Sequence, residues 1–130
     1  MRAPAFLRPA LAAAALLALA SCNITDAEST VDARIQNASV YTLQGVTVHF
    51  AEGDVVFGDI APGQLSASKR TGVAYTNEYI EATVQGQRMV QQPIDHTGDP
   101  VLERGSYTYV LTVSSPTDPN GLHSSLHRDK

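Results

Sequence analysis

The chain has one cysteine, Cys22, and no tryptophan, and its aromatic residues are five Tyr and three Phe in 130 positions. A single cysteine excludes an internal disulfide framework and any cysteine-rich zinc site. Positive charge is also scarce, with nine Lys and Arg against thirteen Asp and Glu and a net charge of −4. Nucleic-acid binders carry a basic face or stripe, so this balance argues against one. A long apolar run is missing as well. The most apolar stretch, Pro9 to Ala20, spans twelve residues, and a helix that crosses a bilayer needs about 20. The length suits one domain, and no internal repeat is visible.

That short apolar stretch has the form of a signal-peptide core, preceded by Arg2 and Arg8. It ends Leu19-Ala20-Ser21-Cys22. These four residues resemble the lipobox of bacterial lipoproteins: Leu, a small residue, Gly/Ala/Ser, then Cys. The resemblance implies cleavage between Ser21 and Cys22, a diacylglyceryl thioether on Cys22 and acylation of the new amine. An ordinary secretory site, Ala18-Leu19-Ala20, overlaps the motif. Position, spacing and use of the sole cysteine favour the lipobox. Two or more acyl chains anchor a protein stably without spanning the bilayer. Asn23 stands where Asp favours inner-membrane retention in enterobacterial lipoproteins, so the expected location is the outer membrane of a Gram-negative cell. Without Arg2 and Arg8 the rest of the chain holds seven basic and thirteen acidic residues. This surplus of negative charge favours solubility and is expected to disfavour adhesion to anionic head groups.

Four segments follow from the patterning: a lipoprotein signal peptide at 1–21, a lipidated cysteine with a polar tether at 22–32, a folded domain at 33–113 and a disordered tail at 114–130. The domain alternates apolar and polar residues with period two. Val46, Val48 and Phe50 alternate with Thr47 and His49, and Ile80, Ala82 and Val84 with Glu81 and Thr83. Tyr107, Tyr109, Leu111 and Val113 form the longest such run. Helical spacing is not sustained after Cys22. Turn signals fall between the runs at Glu52-Gly53-Asp54, Ala61-Pro62-Gly63-Gln64, Gln85-Gly86-Gln87 and Glu103-Arg104-Gly105. About seven short strands at intervals of roughly ten residues predict an all-β protein with a single β-sandwich. The apolar runs are too few to close an eight-stranded barrel. Val48, Phe50, Ile80, Ala82, Tyr107, Tyr109 and Leu111 are the expected core.

Leu102-Glu103-Arg104-Gly105-Ser106-Tyr107 resembles the tyrosine corner of immunoglobulin-like and fibronectin-type domains, in which the Tyr hydroxyl bonds to nearby backbone. Similar G-x-Y-x-Y strands occur in transthyretin-like modules. The sandwich is therefore expected to be immunoglobulin-like. In those folds another strand usually follows, whereas here only the expected tail does. Residues 33–113, with I-Q-N-A-S, F-G-D-I-A-P-G-Q, Q-P-I-D and G-S-Y-T-Y, resemble small lipoproteins of Bacteroidetes-like bacteria. This implies a fold class and a location but no reaction.

Groups with catalytic chemistry are sparse. No G-x-S-x-G elbow is present. His49 falls on the polar face of its strand, as a surface residue. His96 sits in Asp95-His96-Thr97-Gly98-Asp99, with Glu103 beyond, a set that could hold Ca²⁺ or Zn²⁺. Its spacing matches neither an EF-hand nor H-E-x-x-H, and Asp and Gly are also ordinary turn formers. Glu78-Tyr79-Ile80-Glu81 with Tyr75 could form a carbohydrate platform, although an amphipathic strand edge is the commoner arrangement. Lys69-Arg70 suits a solvated strand end that blunts an edge, and His123 and His127 fall in the expected tail. No catalytic, metal or cofactor residue is assigned; Cys22 is the one assigned site, as the lipid acceptor. The expected role is a non-enzymatic binding or structural module held in the cell envelope through Cys22. Its partner would be an envelope protein or a glycan, with no nucleic acid. The alternatives are a small enzyme or metal-dependent module using the Asp95–Glu103 loop, or an accessory subunit of an envelope complex.

Overall fold

In a computed structural model, which describes residues 30–93 and 99–130, period-two alternation becomes strands. The chain forms β1 (Val31–Asn37), β2 (Leu43–Phe50), β3 (Gly53–Ile60), β4 (Lys69–Thr71), β5 (Tyr79–Val84), β6 (Gln87–Gln91), β7 (Gly105–Val113) and β8 (Leu122–Arg128). They make two four-stranded sheets, β4-β1-β7-β8 (sheet A) and β3-β2-β5-β6 (sheet B). The expected all-β sandwich is therefore the fold. All pairs are antiparallel except β1 with β7, which run parallel from Val31↔Gly105 to Asn37↔Leu111. Every second residue of β1 is buried, and all seven expected core residues are at most 5% exposed. Val31, Ala33, Ile35, Leu43 and Met89 join them in the interior, each fully buried.

The turns use the expected chemistry. Gln85 and Gly86 both have positive φ, at 50° and 80°, and join Val84 to its partner Gln87. That two-residue geometry matches the right-handed twist of the flanking strands. Pro62 and Gly63 form the turn after β3, with Gly63 at φ 77° and the Gln64 N–H donating to Ala61 O at 3.0 Å.

The crossing from sheet A to sheet B is pinned by Asn37, which is fully buried. Its side-chain amide donates to Tyr41 O at 2.7 Å and Ile60 O at 2.9 Å. Its carbonyl accepts from the Ser39 N–H at 2.9 Å and the Ser39 hydroxyl at 2.7 Å. A buried amide in an apolar core is costly unless bonded, and here its bonds to Ser39 and Tyr41 close the β1–β2 connection while the one to Ile60 O ties it to the end of β3.

Two boundaries differ from the sequence reading. The patterning extends the tether to residue 32, but Val31 and Asp32 belong to β1, where Val31 pairs with both Thr71 and Gly105. The larger correction concerns the tail at 114–130, expected to be disordered. Residues 122–128 form β8, which pairs along seven positions of β7 from Tyr107↔Arg128 to Val113↔Leu122. The sandwich thus has eight strands where about seven were expected, and the strand that usually follows a tyrosine corner is present. The physical reason is β7 itself, whose backbone would otherwise leave one edge unpaired. Leu122 is buried and Leu126 packs against the core. Residues 1–29, including the signal-peptide segment and Cys22, lie outside the described residues.

The tyrosine corner forms as expected. Tyr107 is buried and its hydroxyl donates to Glu103 O at 2.8 Å. Arg128 of β8 lies over the Tyr107 ring, 5.6 Å from its centroid, and donates to Arg104 O at 3.0 Å. The new strand therefore caps the corner.

Candidate functional site

On a half-buried sheet the outward residues of neighbouring strands meet in rows. The register of sheet B sets His49 of β2 between Asp54 of β3 and Tyr79 of β5. Glu81 lies two pairs further along β5, opposite Thr47, and Arg88 of β6 pairs with Thr83. These neighbours form a ladder of charge across all four strands. His49 Nδ1 lies 2.7 Å from Asp54 Oδ1, and Nε2 lies 2.7 Å from Glu81 Oε1. The other Glu81 oxygen accepts from Arg88 through Nε at 2.9 Å and through Nη2. The Tyr79 ring meets the imidazole edge to face, with centroids 4.8 Å apart.

Ionised carboxylates accept hydrogen bonds and cannot donate. A ring nitrogen directed at each of two carboxylates donates to both only when both nitrogens carry a proton, so this geometry favours the imidazolium form of His49. Its partial burial works against that charge, but the hydrogen bonds to Glu81 and then Asp54, with their charges, outweigh it and raise the pKa above the ordinary imidazole value. The Glu81 pKa is lowered, first by the hydrogen bond from His49, against its burial, and then by Arg88. The Arg88 guanidinium is held more firmly protonated by Glu81. His49, Tyr79, Glu81 and Arg88 line a shallow hollow of about 320 Å³. Both imidazole nitrogens are engaged, so the arrangement is built to present charge and hydrogen-bonding groups and holds no ring nitrogen open toward a substrate.

The other candidates separate. Glu81 faces outward in the ladder, but Glu78 turns inward, 2% exposed, and accepts the Tyr75 N–H at 2.8 Å. It lies beside Tyr109, whose pKa is pushed up by burial and then by the Glu78 charge, and whose hydroxyl donates to Tyr75 O at 2.6 Å. Glu78-Tyr79-Ile80-Glu81 therefore splits between core and surface and does not form one platform with Tyr75. Asp95 and His96 lie outside the described residues. Asp99 and Glu103 are exposed, and Glu103 pairs with Arg128 at 3.4 Å. Among the described residues no group of three or more His, Cys, Asp or Glu is arranged to hold a metal ion. Lys69 and Arg70 lie exposed on the edge strand β4. His123 and His127, expected in a disordered tail, stand on β8, both exposed. Sequence reasoning placed His49 and Glu81 on polar faces but missed Asp54 and Arg88. Their spacing becomes a cluster only once β3, β2, β5 and β6 are known to be neighbours.

No protein-family model matches the chain, and no curated protein matches it. Among solved structures it is similar to an NMR structure of a protein from Eubacterium rectale, with 12% sequence identity and a TM-score of 0.53 over 81% of this chain and 93% of that one. At this identity the likeness shows the fold, a small all-β sandwich, and nothing further.

Proposed function

We propose that the chain is a lipoprotein of the cell envelope. Lipid on Cys22 holds a small β-sandwich at the outer membrane of a Gram-negative cell, and the outer face of sheet B binds an envelope protein or a glycan without catalysis. The observation that carries this reading is Leu19-Ala20-Ser21-Cys22, a lipobox complete at four positions that uses the only cysteine in the chain. The domain begins nine residues later, at Val31, so it would sit close to its anchor. Tyr79 and the charged ladder supply an aromatic edge and fixed donors and acceptors, the kind of polar, half-buried surface that suits a partner rich in hydroxyl and amide groups.

Two experiments test this. In native cells, Cys22→Ser should abolish labelling by an alkyne fatty acid and release the protein from the membrane fraction or leave it unprocessed. Undiminished labelling would contradict the anchor. Affinity purification of the lipidated protein should recover a partner that is lost when Tyr79→Ala and Arg88→Ala are combined. Recovery unchanged by that pair would remove the sheet B face from the proposal.

A further inference from the structure

The edge of a sheet carries unpaired N–H and C=O groups that can take up another strand. The two sheets have four edges, β4 and β8 in sheet A and β3 and β6 in sheet B. Three of them are guarded. β4 is three residues long and bears exposed Lys69 and Arg70, and short, charged edges resist pairing. β6 and β8 close on each other. The Val90 N–H donates to Pro119 O at 3.0 Å, the Ser124 N–H to Gln91 Oε1 at 2.5 Å and Gln91 Nε2 to Ser124 Oγ at 2.6 Å. The fourth edge is different. β3 is eight residues long, holds no Lys, Arg or Pro, and among the described residues pairs with β2 alone.

Acids can guard an edge as well, but those around β3 are turned back into their own chain. Asp54 Oδ1 lies 2.7 Å from His49 Nδ1, and Asp59 accepts the Gly45 N–H at 2.8 Å, both on β2. Glu52, in the turn before β3, has its carboxylate against Gly72. What the edge presents is the run Val55-Val56-Phe57. Val55 and Phe57 pack against the core on the inner side, and Val56 is 59% exposed on the outer side.

We propose that β3 pairs antiparallel with β3 of a second copy, about a two-fold axis through Val55. The regular part of the strand is residues 53–57. Beyond it the pairing with β2 steps from Thr47↔Val56 to Val46↔Gly58, a bulge, with Gly58 at φ 87°. Centred on Val55, the pairing uses that regular part in both copies. On the inner side it sets Val55 opposite Val55 and Phe57 opposite Gly53, an aromatic ring over a glycine, which supports edge glycines. On the outer side it sets Val56 opposite Asp54. No acid faces an acid directly, because Glu52 falls opposite Gly58 and Asp59 opposite Ala51. A centre at Asp54 would set Asp54 against itself, and like charges directly opposite destabilise a pair. A centre at Val56 would run both copies into the bulge. A two-fold interface needs this self-complementarity. Sheet B then continues through eight strands, with the charged ladders of both copies on the same face. Five residue pairs make a smaller contact than the roughly 1,200–2,000 Å² of a standard interface, so the association is concentration-dependent. It stands whether or not Cys22 carries lipid.

The test is disulfide trapping of the full chain in its own cells. Val55→Cys places two thiols on the axis, with Cα atoms about 4.5–5.5 Å apart, inside the range a disulfide spans. Val56→Cys is the control. Its two copies are offset by two residues, about 8 Å, beyond that range, although Val56 is the more exposed position. With an added oxidant, Val55→Cys should run at twice the monomer mass on a non-reducing gel, at least tenfold more than Val56→Cys or the parent chain with Cys22 alone. Equal trapping at both positions, no trapping at either, or a product of Val55→Cys with a different protein would overturn the pairing with a second copy. Sedimentation of the purified full chain gives a second measurement that leaves the core untouched. The average mass should rise toward twofold over a hundredfold range of concentration, and Val56→Asp, which sets carboxylates opposite Asp54 of the second copy, should abolish the rise. A parent chain that stays monomeric throughout, or a rise that survives Val56→Asp, would also refute it.

Discussion

The two sheets are held by different physics. Sheet A is closed by buried, uncharged contacts: the Tyr107 hydroxyl on Glu103 O, the Tyr109 hydroxyl on Tyr75 O, and β8 zipped to β7. The outer face of sheet B is cross-linked by a charged ladder in partial contact with water. Buried hydrogen bonds are costly to leave unmade, whereas exposed ion pairs contribute little and respond to salt and pH. Breaking the buried contacts of sheet A should therefore cost more than breaking the ladder on the outer face of sheet B, and the ladder should carry the pH sensitivity centred on His49.

The sharpest way to break this comparison is to remove β8. A chain ending at Ser114 loses the whole β7–β8 ladder and buried Leu122. The loss should exceed a stability of about 5–15 kcal/mol, and far-UV circular dichroism should report an unfolded or aggregated chain. Limited proteolysis of the intact chain should correspondingly protect residues through about Arg128. Cleavage that leaves a stable core ending near residue 114 would restore the disordered tail. Next in size, Tyr107→Ala should cost about 3–5 kcal/mol in urea unfolding through the cavity it leaves. Tyr107→Phe removes only the bond to Glu103 O and should cost about 1 kcal/mol. Asn37→Ala strips partners from Ile60 O and Tyr41 O at the crossing between sheets and should cost about 1–3 kcal/mol.

Sheet B should yield the smallest effects. His49→Ala should cost about 1 kcal/mol or less, because the pairs it breaks are partly solvated. Its pH dependence is the more telling readout. The raised His49 pKa means that its contribution is full below the unfolded value of 6.5 and is lost as pH rises through the folded value. The lowered Glu81 pKa means that its contribution is present above the unfolded value of 4.5 and is lost as pH falls through the folded value. The ladder should be strongest between those two limits. Imidazole NMR titration should show the His49 pKa falling in Glu81→Gln more than in Asp54→Asn. An unchanged His49 titration in both variants would dissolve the ladder.

Much of sheet A and sheet B was legible because β1, β2, β5 and β7 bury alternate apolar residues, a pattern written directly in the chain. β8 was not, because Leu122 and Leu126 are separated by Ser124, and Pro116, Pro119 and Gly121 precede them. That strand forms because β7 offers a long edge, a tertiary fact with little local signature. The tyrosine corner was legible because its hydrogen bond closes within four residues. The ladder was not, because Asp54, Glu81 and Arg88 reach His49 only through strand order.

The proposal that the sandwich is lipid-anchored is tested most directly by the intact mass of the protein extracted from its native membrane. The account predicts a chain beginning at Cys22 that carries a diacylglyceryl group. A chain that begins elsewhere, or one with Cys22 unmodified, would contradict it.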